Sequence, residues 1–156
     1  MNRYRKPLSL LLLLLLSCIS IVTLRAQEKA VALVQITNAQ GRVVGSGTAF
    51  FIDAQGKAVT MGGLLANAAA ARLITQDSTV HNITQVLQED AGSGLIVVQV
   101  DNNLTTQFNY LSPATAPAQG ASVALLTAGD VKEIKKDSRT VTQVDNFDGY
   151  GYLLQT

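Results

Sequence analysis

The sequence predicts an all-β fold, either a sandwich or a barrel, on three observations. Short runs rich in Val, Ile, Leu and Thr recur along the chain, Gly-containing turn segments separate them, and only one stretch has good helical composition. The first run is Ala30–Thr37 (AVALVQIT), closed by Asn38-Ala39-Gln40-Gly41. Arg42–Ile52 (RVVGSGTAFFI) follows, closed by Asp53-Ala54-Gln55-Gly56, and Lys57–Met61 comes next. Each of these connections ends in Gly, which takes positive φ without steric cost, so both read as hairpin turns.

The helical candidate is Leu64–Ala71 (LLANAAAA), preceded by two glycines. Strands are then expected at Arg72–Gln76, Asn82–Gln88, Leu95–Val100, Ser122–Thr127, Thr140–Val144 and Tyr150–Leu154. Asn102–Gly120 holds Pro113 and Pro117 among Ala, Thr and Gln and is expected to be a surface connection. Val131–Arg139 (VKEIKKDSR) reads as a solvated loop or hairpin tip, because Glu133 and Asp137 dilute its three lysines as a patch for an anionic partner. No fixed-period repeat stands out, which argues against a solenoid or propeller.

Charge divides the chain unevenly. The 156 residues carry a net charge of +1, but residues 1–26 hold four cations (Arg3, Arg5, Lys6, Arg25) and no acid, so the remaining 130 residues have a net charge of −3. That balance excludes a strongly basic nucleic-acid binder. Met1–Lys6 followed by the apolar run Leu8–Leu24 has the pattern of a secretory signal peptide, with the cut expected after Ala26. Leu15-Leu16-Ser17-Cys18 is also similar to a lipoprotein signal, in which Cys18 would be lipidated. A retained anchor is a third reading, with an apolar run at the lower edge of the length that spans a bilayer. In the first two readings the exported domain has no thiol able to pair within the chain and is held by its core, of which 58 of 130 residues are apolar candidates.

Gly45-Ser46-Gly47-Thr48-Ala49-Phe50-Phe51-Ile52, the turn Asp53–Gly56 and the strand ending Ala58-Val59-Thr60 together resemble the opening of a trypsin-like serine protease of the HtrA/Deg type. In that family the strand ending in Thr delivers the catalytic His in a T-x-x-H motif; here the motif reads Thr60-Met61-Gly62-Gly63, and Gly63 stands at the His position. The family's D-x-x-[ST]-D motif is matched by Asp90-Ala91-Gly92-Ser93-Gly94, with Gly94 at the position of the Asp that orients the His. Gly120-Ala121-Ser122-Val123-Ala124 resembles the strand that closes the first barrel, and Thr140–Val144 resembles the start of the second. Leu153-Leu154-Gln155-Thr156 resembles the strand before the nucleophile loop.

The resemblance implies a six-stranded antiparallel Greek-key barrel over residues 27–130, followed over residues 131–156 by the first strands of an incomplete second barrel. It also implies that no triad function is intact: glycine can neither accept a proton nor orient a base, and the nucleophile loop would follow Thr156. The expected function is a non-catalytic, exported pseudoprotease that binds peptide or unfolded protein segments. A truncated piece of an HtrA/Deg-like endopeptidase, and an unrelated secreted β-barrel binding domain, are the alternatives. Self-association is expected through the unpaired C-terminal strands, and membrane contact only if Cys18 is lipidated or the leader is retained.

Other residues do not supply the missing chemistry. His81, the only His, is expected to be an ordinary strand or turn residue away from Gly63, and Asp90 to cap its own loop. Ser46 and Ser93 are expected to be structural, and Ser78, Ser112, Ser122 and Ser138 have no base placed beside them by any motif. Neither a metal site nor a phosphate-binding loop is predicted, and no cofactor is expected. The few aromatics are not interleaved with cations, which argues against binding of single-stranded nucleic acid.

Overall fold

Six antiparallel strands close on themselves in the computed structural model, which describes residues 27–66, 68–103, 106–130, 133–147 and 151–155. The strands are β1 (Val31–Thr37), β2 (Val43–Phe51), β3 (Lys57–Met61), β4 (Ala70–Ile74), β5 (Val80–Asp90) and β6 (Leu95–Val100), with one helical turn, α1 (Gly62–Leu65), between β3 and β4. Around the barrel they run β1-β2-β3-β6-β5-β4 and return to β1. The first three are joined as hairpins and β4 comes back beside β1, which is a Greek key. The expected barrel is therefore present, and its strands lie within Val31–Val100.

The first two turns share one construction. Asn38 Oδ1 accepts the backbone N–H groups of Gln40 and Arg42 at 3.0 and 2.9 Å, and Asp53 Oδ1 accepts those of Gln55 and Lys57, both at 2.9 Å. In each turn the carboxamide or carboxylate folds the backbone back on itself, and the glycine that follows, Gly41 (φ +72°) or Gly56 (φ +94°), takes the left-handed residue.

Inward-facing residues alternate along the strands and meet in a single core. Ala32, Val34 and Ile36 of β1, Ala49 and Phe51 of β2, Ala58 of β3, Leu73 of β4 and Ile96, Val98 and Val100 of β6 form it. β1 is buried on its other face too, at Val31 and Leu33. The cause is β7 (Ser122–Asp130), which runs against β1 and β2 without joining their ladder and donates from Ala128 N to Thr48 Oγ1 at 3.0 Å. With the inside filled, β7 can only lie on the outer face.

Several expectations need correction. Leu64–Ala71 is not a helix: helical structure ends at Leu65, and Ala70 and Ala71 already pair with Thr37 and Ile36 of β1. The alanine run is overruled because closing the barrel gives β4 a backbone partner along its length, and helix propensity is only a weak prior against that. Ser122–Ala124 does not close the barrel. β7 instead pairs with β8 (Glu133–Thr140) in a separate two-stranded sheet, from Ser122↔Thr140 to Asp130↔Glu133.

The charged segment expected as a loop or tip is thus a strand over most of its length; its side chains stay largely in water, so the ladder costs no buried charge. The segment after Asp130 pairs with its own chain, β8 against β7. A second two-stranded sheet joins β9 (Gln143–Phe147) to β10 (Gly151–Gln155). Met1–Ala26, the segment expected to be a leader and holding Cys18, lies outside the described residues, as do Tyr150 and Thr156.

The connection after β6 is more than a surface link. Phe108 is 7% exposed, stacks on Phe51 with ring centroids 4.3 Å apart, and donates its N–H to the Ala54 carbonyl at 3.2 Å. Three residues on, Leu111 N donates to Phe51 O at 2.9 Å. Phe108 thereby plugs the end of the barrel at the β2–β3 turn.

This packing makes two substitutions informative. Phe51→Ala should cost about 3–5 kcal/mol, since it removes a fully buried ring and its stacking partner's contact. Gly56→Ala should cost about 2 kcal/mol, because a Cβ there would lie 2.9 Å from Val100 Cγ2 and 3.0 Å from Phe108 Cε2 on a left-handed backbone. Denaturant melts at constant m-value measure both.

Candidate functional site

The corner that the resemblance singles out is formed where β3 and β6 end together. The last pair of their ladder is Met61↔Leu95, and just beyond it Gly62 N donates to Gly94 O at 2.8 Å. Gly63 in α1 and Gly94 in the β5–β6 turn, placed 31 positions apart in the sequence, are therefore held within one residue of a shared backbone hydrogen bond. A Cβ built on either meets nothing within 4 Å. Met61 and Leu95 flank the corner at 52% and 39% exposure, which leaves an apolar pair facing water.

The two glycines differ in what the backbone asks of them. Gly94 has φ +71° and donates its N–H to Asp90 O at 2.8 Å, so the turn uses the left-handed conformation that L-residues resist. Gly63 has no such requirement. Asp90 caps the turn as expected: Oδ1 accepts Gly92 N at 3.1 Å and Oδ2 accepts Ser93 Oγ–H at 2.6 Å. The Ser93 hydroxyl, then the Gly92 N–H, hold the Asp90 carboxyl below the usual carboxylate range. Ser93 Oγ also accepts Leu95 N at 3.3 Å, so this serine is committed to the turn. Ser46 sits mid-strand in β2 opposite Gln35.

His81 lies elsewhere. It pairs with Leu73 across β4–β5, and β5 meets β6 next at Ile83↔Val100, whereas Gly94 precedes Leu95 at the other end of β6. With about 3.3 Å per residue, β6 separates the two ends by about 17 Å. His81 is 8% exposed, stands edge-on to Phe108 at 4.8 Å between centroids, and places Nδ1 3.8 Å from Asp101 Oδ1. Asp101 in turn accepts Asn82 N at 2.8 Å and Asn82 Nδ2 at 2.9 Å.

Above His81 opens a cavity of about 490 Å³, bounded by Lys29, by the β4–β5 turn residues Thr75, Gln76, Asp77 and Thr79, and by Thr106–Asn109 of the connection that carries Phe108. Asp77 organises the turn: its Oδ1 accepts Thr75 Oγ1–H at 2.6 Å and Thr79 N at 3.1 Å. Those bonds, the Thr75 hydroxyl first, hold its carboxyl below the usual range. Apart from His81, no motif in the sequence points to this group. The signal available was a polar five-residue link with Asp at its centre, and one aromatic in a Pro/Thr/Gln-rich connection.

The described residues contain no group of three or more His, Cys, Asp or Glu able to hold a metal ion. Neither a family model nor a curated protein matches the chain.

Two measurements test the corner. Gly63→His should change stability by less than about 0.5 kcal/mol, while Gly94→Asp should cost about 1 kcal/mol through its left-handed backbone. Carbon-detected NMR titration should find the Asp90 carboxyl ionising below the ordinary carboxylate range, and Ser93→Ala should move it back toward that range. A folded pKa below the unfolded one means this contribution to stability is present above about pH 4 and lost as pH falls through the folded value. The Ser93→Ala penalty should therefore shrink in strong acid to what the Leu95 N–H bond alone contributes.

Proposed function

We propose that this chain is an exported, non-catalytic relative of trypsin-like serine proteases that binds extended apolar peptide or unfolded protein segments. The observation that carries the reading is the Gly62 N to Gly94 O hydrogen bond, which brings together the two positions at which the resemblance expects His and its orienting Asp. The six-stranded Greek key, with the Gly45–Ile52 segment in β2 and Thr60 at the end of β3, agrees with it.

The chemistry follows from what the corner holds. A Ser-His-Asp centre needs an imidazole to take the serine proton and a carboxylate to fix its tautomer. Gly63 and Gly94 offer only backbone there, and the left-handed φ of Gly94 makes a return to Asp unfavourable. The nearest carboxylate in the turn, Asp90, is occupied by Ser93 and Gly92. What the corner presents to a ligand is the exposed pair Met61 and Leu95, an apolar contact beside open space, which suits the side chains of an extended segment.

Incubating the full chain with fluorogenic peptides and with an unfolded protein should give no turnover above buffer. The same unfolded protein, fluorescently labelled, should bind, and Leu95→Lys should weaken that binding by about tenfold. Sustained turnover would overturn the non-catalytic part of the reading, and Leu95→Lys binding as well as the parent would overturn the assignment of the surface.

A further inference from the structure

The cavity over His81 stands at the opposite end of the barrel from the Gly63/Gly94 corner and owes nothing to the protease resemblance. At about 490 Å³ it has the size of a small-molecule site. Its chemistry is specific. At the rim stand one cation, Lys29, and one carboxylate, Asp77, and among the described residues they form no ion pair with each other. Asp77 accepts the Thr75 hydroxyl and the Thr79 N–H through Oδ1 while its side chain stays exposed at the cavity edge. Lys29 is set in place through its neighbour: Gln76 Nε2 donates to the Glu28 carbonyl at 2.6 Å, pinning the turn Gln27–Ala30, closed by the Ala30 N–H on the Gln27 carbonyl, to the cavity wall.

The floor supplies the second element. The His81 imidazole is nine-tenths buried, lines the cavity, and has its closest ionic neighbour, Asp101 Oδ1, at 3.8 Å from Nδ1, beyond hydrogen-bond reach. No enclosed side-chain nitrogen or oxygen among the described residues lacks a partner, so the ring held against Phe108 is open to water or to a ligand from the cavity. Gln107 and Asn109 add neutral amides to the wall.

We propose that this cavity binds a free α-amino acid as its zwitterion, the ligand carboxylate on Lys29, the ligand ammonium on Asp77 and a polar atom of the ligand against the His81 imidazole. A ligand with one charge of each sign pairs both rim charges and leaves none desolvated alone, whereas a simple anion or cation leaves the other rim charge facing a ligand it cannot pair. The cavity and the corner are at separate ends of β6, so this inference stands or falls independently of the proposed function.

The test is NMR titration of the isotope-labelled full chain with a panel of free L-amino acids, and with acetate and ethylammonium as probes that carry one charge each. Saturable shifts of the His81 ring and of the Thr79 and Asn109 amides with at least one amino acid are expected, with acetate and ethylammonium binding at least about tenfold more weakly. Lys29→Gln and Asp77→Asn should each weaken amino-acid binding by about tenfold or more, and Lys29→Arg, which keeps the charge and leaves the Asp77 turn untouched, should retain it. No saturable shift with any amino acid at millimolar concentration overturns the proposal. So does acetate binding as tightly as the amino acid, or Lys29→Gln binding undiminished.

Discussion

Pairing of β1 with β4 is the interaction on which the rest of this fold depends. Five residue pairs, from Leu33↔Ile74 to Thr37↔Ala70, turn a six-stranded ribbon into a closed barrel and remove both of its open edges. The pairing is reinforced across the surface by Arg72, whose Nε and Nη2 donate to Gln35 Oε1 at 3.0 and 2.6 Å from directly opposite positions. Closure also decides local structure: it draws the alanine run after α1 into an extended strand beside β1.

Much of the barrel was legible in the sequence because its signals are local. The β-branched runs, and the paired Asn…Gly and Asp…Gly turns at 38–41 and 53–56, each specify a conformation within a few residues, and the first two hairpins form there. What the sequence hid depends on distant partners. The alanines of β4 become a strand only because β1 lies beside them, and the charged run of β8 only because β7 does. Phe108 looked like part of a polar connection, and only closure creates the barrel end that it fills.

The candidate sites divide along the same line. The roles of Asp90 and Ser93 could be read from their own turn, where every partner lies within a few residues. The His81 cavity could not, since its walls come from the N-terminal turn, the β4–β5 turn and the connection after β6. The single His of the chain stands on a strand away from Gly63, as its sequence context suggests. It is a buried ring between an aromatic plug and an open cavity, at the end of the barrel away from the glycine corner.

The burial of β1 on both faces has a consequence for the order in which the chain can become soluble. β1 is the first strand to be made, and its inner face is covered only once β6 is in place, while its outer face waits for β7, some ninety residues later. Until then Val31, Leu33 and Val34 form an apolar strand open to pairing with other chains. The interval between synthesis of β1 and docking of β7 is the period in which the nascent chain needs protection, and loss of β7 from the finished barrel would uncover Val31 and Leu33 on its outer face while β1 stays paired at both edges.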